Sequence, residues 1–322
     1  MDKRESLLTA QNLCKTFPAG YAGSFFTKKH ITAVDNLNLW LYKGEIFGLV
    51  GESGCGKSTA GSMLANILSP SSGEICYRGK EFSQMNRDEI KRARREIQMV
   101  FQDPYASLNP KHKIGRMLEE LLQIHFKYES KARTRLIDEM LETVGLDAGT
   151  GNKYPHELSG GQRQRVNIAA ALMLEPAVLV ADEAVSALDV SIQSQILNLL
   201  KELQTSRQLT YLFISHDLNV VQYISDRIGV MYMGKLVEYG STEELYKNPR
   251  HPYTQALLSA IPSVDDTPRE RIILHGEVPN PLSPPAGCAF HTRCFAAAER
   301  CRKECPAMKE TGNGHFAGCH FV

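Results

Sequence analysis

The stretch Ile46–Ser58, IFGLVGESGCGKS, decides how this chain folds. Its first five residues form an apolar run of strand length, and after Gly56 the apolar positions from Met63 to Leu68 take helical spacing. A strand, a glycine-rich loop and a helix therefore follow one another. This is the context in which the pattern GxxxxGKS forms a phosphate-binding P-loop.

The residue types in this loop suit phosphate chemistry. Glycines let backbone amides point inward at phosphate oxygens, and the N-terminus of a helix favours an anion. We expect Lys57 to neutralise the outer phosphates and Ser58 to ligate Mg²⁺, a combination that a chance glycine turn would not explain. The residues expected around the phosphates are Gly51, Ser53, Gly54, Cys55, Gly56, Lys57, Ser58 and Thr59.

A second apolar run, Val178–Asp182, predicts a strand that ends in two acids. Asp182 is expected to hold Mg²⁺ through water, and Glu183 to polarise an attacking water. Adjacent residues of an extended strand point to opposite sides, so the two carboxylates should not do the same job. The alternative interpretation is a solvated pair of acids at the end of a strand.

Composition excludes several classes of protein. Hydrophobic residues make up 43% and charged residues 23% of the 322 residues, which is an ordinary globular balance. Because 37 Lys and Arg nearly cancel 36 Asp and Glu, no overall field draws the chain to nucleic acid or to an anionic membrane. The apolar runs are far shorter than the ~20 residues of a membrane helix, and the N-terminus lacks a signal-peptide core. We therefore expect a cytoplasmic protein.

The motif Leu158–Gln162, LSGGQ, is the most specific feature, because together with the two motifs above it names a family. Over residues 7 to about 245 the chain resembles the ATPases of ATP-binding cassette (ABC) systems. In that family the signature opens a helix and contacts the γ-phosphate of an ATP held by the opposite protomer. The resemblance thus implies a site shared with a second cassette, to which this chain contributes Ser159, Gly160, Gly161 and Gln162.

The remaining family positions are filled in order. Gln102, in VFQDP, matches the Q-loop glutamine, which senses Mg²⁺ and water and leads toward the membrane-subunit contact. Asp189, in SALD, matches the D-loop, and His216, in ISHD, matches the switch histidine that contacts the γ-phosphate. The resemblance therefore implies a complete set of catalytic positions.

The adenine-stacking aromatic is Phe17 by its position in the family pattern. Stacking needs only the face of a ring, so a neighbouring aromatic would serve as well. The alternatives in the loop that follows are Tyr21, Phe25 and Phe26, and a core-packing role for Phe17 stays open.

The resemblance implies an α/β fold, the P-loop NTPase fold of the ABC cassette. It has a RecA-like core, an antiparallel β subdomain and a helical signature subdomain at about 104–170; residues 112–147 have the helical spacing this requires. Composition changes after Pro262, where prolines mark a linker. The predicted domains are therefore a cassette at 1–262 and a proline-rich linker with a Cys-rich tail at 263–322.

Two segments, Phe101–Pro110 (FQDPYASLNP) and Asn248–Leu258 (NPRHPYTQALL), resemble the ATPases of dipeptide, oligopeptide and nickel importers. This implies import of a peptide, or of nickel or another chelated metal as the alternative. The implied partners are a second, homologous ATPase subunit, two transmembrane permeases and an extracytoplasmic binding protein. A soluble ABC ATPase acting on nucleic acid or ribosomes is the other class; it usually carries tandem cassettes, coiled coils or basic tracts.

Five of the eight cysteines crowd the end of the chain. A reducing cytosol disfavours a disulfide framework, so metal ligation is the better explanation. In the importer branch four cysteines here are linked with a [4Fe–4S] cluster, and by family position they are Cys288, Cys294, Cys301 and Cys319. Cys305 departs from the pattern and is a rival fourth ligand. Unligated thiols stay open, as does zinc with spare ligands at His291, His315 or His320. Because the ATPase motifs are complete without it, we expect the cluster to be structural.

Overall fold

The computed structural model describes residues 5–21, 28–261 and 271–322. The strands in these residues are, in chain order, β1 (Ser6–Tyr21), β2 (Lys28–Tyr42), β3 (Ile46–Val50), β4 (Ser72–Tyr77), β5 (Lys80–Glu81), β6 (Ile97–Val100), β7 (Val178–Asp182), β8 (Thr210–Ile214), β9 (Arg227–Tyr232), β10 (Lys235–Ser241), β11 (Lys309–Gly312) and β12 (His315–Ala317). The α-helices are α1 (Lys57–Leu64), α2 (Arg87–Glu96), α3 (Pro104–Ser107), α4 (Ile114–His125), α5 (Ser130–Thr143), α6 (Gly160–Leu172), α7 (Val190–Arg207), α8 (Leu218–Ile224), α9 (Thr242–Lys247), α10 (Pro252–Ser259) and α11 (Glu299–Lys303).

These elements belong to two compact units. The first unit contains β6 to β8 and α2 to α7, and its described residues are Glu5, 42–45 and 82–214. The second unit contains β1 to β5, β9 to β12, α1 and α8 to α11, and its described residues are 6–21, 28–41, 46–81, 215–261 and 271–322.

The first unit contains three parallel strands in the order β8-β7-β6. In register, Val178 of β7 lies opposite Ile97 of β6 and Thr210 of β8. Every residue of β7 and β8 is buried, as expected of parallel strands covered on both faces, which form continuous apolar runs. The strands predicted from the apolar runs at 178–182 and 211–214 are confirmed.

Helices make up the rest of the first unit. The predicted helical segment at 112–147 is confirmed as α4 and α5, which pack on each other and bury one apolar face each. Helix α6 packs on α7, and this packing requires a glycine. A Cβ on Gly161 would lie 2.5 Å from Cγ2 of Ile192, so a larger residue would force the two helices apart.

The second unit contains two sets of strands. The antiparallel set has the order β2-β1-β4-β5, which confirms the predicted antiparallel β part of the fold. The other set has the order β11-β12-β10-β9-β3, with β3 and β9 parallel and the remaining pairs antiparallel. The Cys-rich tail thus adds β11 and β12 to the edge of the cassette's own strands. The sequence did not predict this pairing of strands, because the proline-rich composition indicated only a linker.

Among the described residues, no helix is both long enough and apolar enough to cross a bilayer.

A buried carboxylate joins the tail to the cassette strands. Glu238 of β10 is 0% exposed, and its oxygens accept hydrogen bonds from the backbone N–H groups of Arg250 (2.7 Å) and His251 (2.9 Å). Nε2 of His315, in β12, lies 2.7 Å from the same carboxylate. Because a buried carboxylate is tolerated only when its oxygens are satisfied, these three partners explain why Glu238 can lie in the core.

We therefore expect Glu238→Ala to lower the free energy of unfolding by about 3 kcal/mol, because it leaves two backbone donors and His315 without their buried acceptor. Denaturant unfolding followed by the fluorescence of the single tryptophan, Trp40, measures this. The control is Glu243→Ala, since Glu243 is exposed and pairs with Lys247 one helical turn away. Equal unfolding midpoints for the two variants would contradict the stabilising role of Glu238.

Candidate functional site

At two positions of the loop between β3 and α1, only glycine fits. Gly51 has a φ of 153° and Gly56 a φ of 103°, which L side chains rarely adopt. A Cβ on Gly51 would lie 2.2 Å from the carbonyl oxygen of Met231, and one on Gly56 would lie 2.0 Å from that of Ala33. At Gly54, with a φ of 77°, a Cβ would meet nothing within 4 Å, so this position opens away from the protein.

The side chain of Lys57 lies inside this loop and bonds to its backbone. The side chain is 5% exposed, and its ammonium donates to the carbonyl oxygens of Gly51 (2.7 Å) and Glu52 (2.9 Å). Burial raises the pKa of the neighbouring Cys55 thiol despite the nearby ammonium, so Cys55 is a neutral packing residue. The loop thus holds one positive charge at its centre, which suits an anion.

Helix α1 begins directly after this charge. Gly56 is its N-cap in a left-handed conformation, and among the described side chains none caps the first turn. Backbone N–H groups at a helix start need an acceptor, and a bound anion supplies one. Ser58 is exposed and Thr59 half-buried at this position.

The two acids at the end of β7 differ in burial and in backbone conformation. Asp182 is the last residue of the strand and is buried, whereas Glu183 lies beyond it with a φ of 48°. The strand therefore ends at Asp182, and the backbone turns at Glu183. A strained backbone of this kind at a non-glycine residue is typical of functional sites.

Gln102 contacts the second acid. Its Nε2 donates to Oε2 of Glu183 at 2.8 Å, although the two residues are 81 positions apart in the sequence. The Gln102 segment is exposed, and Asp103 then caps α3 by accepting from the N–H of Tyr105 (2.8 Å). The structure therefore brings together two residues that sequence motifs had assigned separately.

The signature residues form the start of α6. Oγ of Ser159 accepts from the N–H of Gln162 (3.3 Å), and Oε1 of Gln162 accepts from the N–H of Ser159 (3.0 Å), which is a capping box. Gln162 thus orients the turn, Gly161 is buried, and Ser159 and Gly160 remain at the surface. The exposed helix start can meet an anion presented from outside.

His216 and Asp189 both lie at the start of loops or helices. His216 is exposed and follows Ser215, which is buried. The next residue, Asp217, caps α8 by accepting from the N–H groups of Asn219 and Val220. Asp189 is the exposed N-cap residue of α7. Both side chains are therefore accessible to a ligand.

Phe17 keeps an open ring face. Its side chain is 37% exposed, and the ammonium of Lys15 lies 5.4 Å from the ring centroid. This exposure suits stacking better than core packing. Of the predicted alternatives, Phe25 and Phe26 lie outside the described residues, and so does the side chain of Tyr21.

Four of the tail cysteines surround one small cavity, and they are Cys288, Cys294, Cys301 and Cys319. Burial and, to a smaller extent, the three neighbouring cysteines raise the pKa of the Cys288 thiol to about 11, which reflects their proximity. Cys305 is exposed elsewhere, with its Sγ 3.6 Å from Nζ of Lys235. The structure therefore separates the predicted four from the rival fifth cysteine.

The histidines considered as spare ligands divide in the same way. His291 and His320 line the cavity, whereas His315 is engaged with Glu238. Within residues 5–21, 28–261 and 271–322, no group of three or more His, Cys, Asp or Glu side chains is arranged to hold a single metal ion. Cys288, Cys294, Cys301 and Cys319 line the same cavity.

Known proteins match this chain along its whole length. A family model described as "ABC transporter" matches residues 34–186, and one described as "Oligopeptide/dipeptide transporter, C-terminal region" matches residues 237–301. The oligopeptide transport ATP-binding protein AppF of Bacillus subtilis is 48% identical over 324 residues, covering 99% of this chain and 98% of that protein. The dipeptide transport ATP-binding protein DppF of Haemophilus influenzae is 48% identical over 317 residues, covering 98% and 97%.

A solved structure is also similar. It is the dimeric, post-hydrolysis state of the ATP-binding cassette MJ0796 bound to ADP and Pi, with a TM-score of 0.65 and 28% identity, covering 73% of this chain and 99% of that chain.

We expect Lys57→Ala to weaken the binding of a fluorescent ATP analogue at least about tenfold, which corresponds to roughly 1.4 kcal/mol, because the loop loses its central charge. Equilibrium titration at constant ionic strength measures the dissociation constant. Lys247→Ala is the matched control, since that lysine is exposed on α9. Similar affinities in both variants would remove the phosphate site from this loop.

Proposed function

This chain belongs to the ATP-binding subunits of ABC transporters, in the oligopeptide and dipeptide family, and we propose that it hydrolyses MgATP to power peptide import across the cytoplasmic membrane. The observation that carries the hydrolytic part is the contact of Gln102 with Glu183 at the end of β7. Peptide is favoured over nickel or another chelated metal as cargo because the relatives matched over the full length are named as peptide transport proteins.

Nucleotide binding is assigned to the residues described above. The P-loop amides and Lys57 bind the phosphates, His216 contacts the γ-phosphate, and Phe17 stacks on adenine. Mg²⁺ would shield the phosphate charge during transfer, and the residues proposed to hold it are Ser58, Gln102 and Asp182.

Hydrolysis uses Glu183 as the general base. The carboxylate accepts a proton from water as the water oxygen bonds to the γ-phosphorus and the bond to the ADP oxygen breaks. The hydrogen bond from Gln102 fixes the direction of the carboxylate. Since Gln102 lies on an exposed segment, displacement of that segment would misalign the base.

A second cassette completes the active form. Ser159 and Gly160 lie at the surface at the start of α6, where their donors can meet the γ-phosphate of an ATP bound by a partner cassette. Asp189 is exposed and belongs to the same interface. We propose a homologous second ATPase subunit, two permease subunits and an extracytoplasmic binding protein as partners, with this chain peripheral on the cytoplasmic face of the membrane.

The tail cysteines fit a [4Fe–4S] cluster better than zinc. One tetrahedral ion needs its ligands to converge on a point, whereas each thiolate of a cluster binds a different iron. We infer the second arrangement for the four cysteines because they line one cavity. When bound, the cluster would supply four iron–thiolate bonds to a segment with little core of its own, which is a structural role.

Glu183→Gln should retain ATP binding and lower the hydrolysis rate by about 10²- to 10⁴-fold, because the amide cannot accept the proton. Phosphate release measured alongside nucleotide titration separates the two effects. Glu202→Gln serves as control, since Glu202 is exposed on α7. Near-normal hydrolysis in Glu183→Gln would refute its assignment as the base.

For the tail, Cys319→Ser should reduce bound iron and its visible absorption, whereas Cys305→Ser should leave both unchanged. Anaerobic purification followed by iron, sulfide and zinc analysis measures this. Stoichiometric zinc without iron would overturn the cluster, and unchanged iron in Cys319→Ser would move the fourth ligand to Cys305.

A further inference from the structure

Arg293, in the Cys-rich tail, forms an ion pair with the phosphate-binding loop. The guanidinium of Arg293 donates to both carboxylate oxygens of Glu52, the second residue of the loop, at 2.8 Å and 3.0 Å. The Arg293 side chain is 9% exposed and that of Glu52 27%. A bidentate pair that is this well shielded is both stronger and more directional than a surface ion pair.

Arg293 is held in place by the tail's own packing. It lies in the turn between Cys288 and Cys294, and its N–H donates to the carbonyl oxygen of Phe290 at 3.0 Å. Phe290 is buried, and its ring centroid lies 5.2 Å from that of Tyr232 and 5.3 Å from that of Tyr253. The arginine is thus anchored to the aromatic residues behind the loop.

The backbone of Glu52 makes two hydrogen bonds at the loop. Its N–H donates to the hydroxyl of Tyr253 at 3.0 Å, and its carbonyl oxygen accepts from Lys57 at 2.9 Å. A carboxylate so near the phosphate site would repel a triphosphate if it were unpaired. Arg293 neutralises that charge, and the glutamate in turn raises the pKa of Arg293, which stays cationic.

We propose that Arg293 is a positioning residue for nucleotide binding: through Glu52, the Cys-rich tail holds the P-loop in its phosphate-binding form and cancels the loop's negative charge. This rests on the proposed binding of MgATP. It also gives the tail a defined effect on the ATPase. Disturbing the turn that carries Arg293 raises the KM for ATP, while turnover at saturating ATP is preserved because the catalytic residues are intact.

Four variants test this: Arg293→Gln, Arg293→Lys, Glu52→Gln and the double variant Arg293→Gln/Glu52→Gln. Arg293→Gln should raise the dissociation constant of a fluorescent ATP analogue and the KM for ATP about tenfold, with kcat within about twofold. Arg293→Lys should fall between it and wild type, because lysine keeps the charge and loses the fork. The double variant should recover most of the lost affinity, because no unpaired carboxylate remains.

The matched control is Arg300→Gln, which breaks another Arg–Glu pair of the tail, an exposed one with Glu304. It should bind ATP as wild type does. Arg293→Gln should still unfold in one cooperative transition and keep the iron content of wild type, which distinguishes a local charge effect from collapse of the tail.

Wild-type affinity in Arg293→Gln, a double variant weaker than Arg293→Gln, or loss of iron in Arg293→Gln would each overturn the proposal. Failure of the function proposed above gives a different result: wild type itself would then bind no nucleotide, or would bind it no better than Lys57→Ala.

Discussion

The structure depends on a close approach of backbones around the phosphate-binding loop. The carbonyl oxygen of Met231 lies next to Gly51 and that of Ala33 next to Gly56, so a Cβ at either glycine would have no space. The N–H of Gly234 donates to the carbonyl oxygen of Cys55 at 2.8 Å, which fixes the loop against the β9–β10 turn. Its shape is therefore set by β2, β9 and β10 together, and not by its own sequence alone.

Two carboxylates of the cassette join it to the Cys-rich tail, and they do so in different ways. Glu238 is fully buried and is satisfied by two backbone N–H groups and His315, which is a packing arrangement. Glu52 is partly shielded, pairs with Arg293 and lies beside Lys57, which is an electrostatic one. The first fixes where the tail lies, and the second lets the tail act on the charge that a nucleotide meets.

Local patterns in the sequence predicted local structure well. The apolar runs predicted β3, β7 and β8, and the i, i+4 spacing predicted α4 and α5. Both patterns arise directly from burial, because the side chains that face the core must be apolar. Contacts between distant residues have no such period. Gln102 and Glu183 are 81 residues apart and Glu52 and Arg293 are 241 apart, so neither contact could be predicted. Cys319 was named as the fourth cluster ligand by its family position, and the sequence could not show that it follows a strand, β12, that pairs with β10.

Helix α6, which begins with the signature residues, also contacts the segment that carries Gln102. Arg163, in the first turn of α6, donates to the carbonyl oxygen of Leu158 at 2.6 Å, and its guanidinium lies 3.9 Å from the ring centroid of Tyr105. Tyr105 belongs to α3, which begins two residues after Gln102, and α3 packs on α6. Because Gln102 donates a hydrogen bond to Glu183, we expect a shift of α6 to be passed through α3 to that carboxylate. The helix that presents Ser159 outward is thus mechanically joined to the residue proposed to activate water.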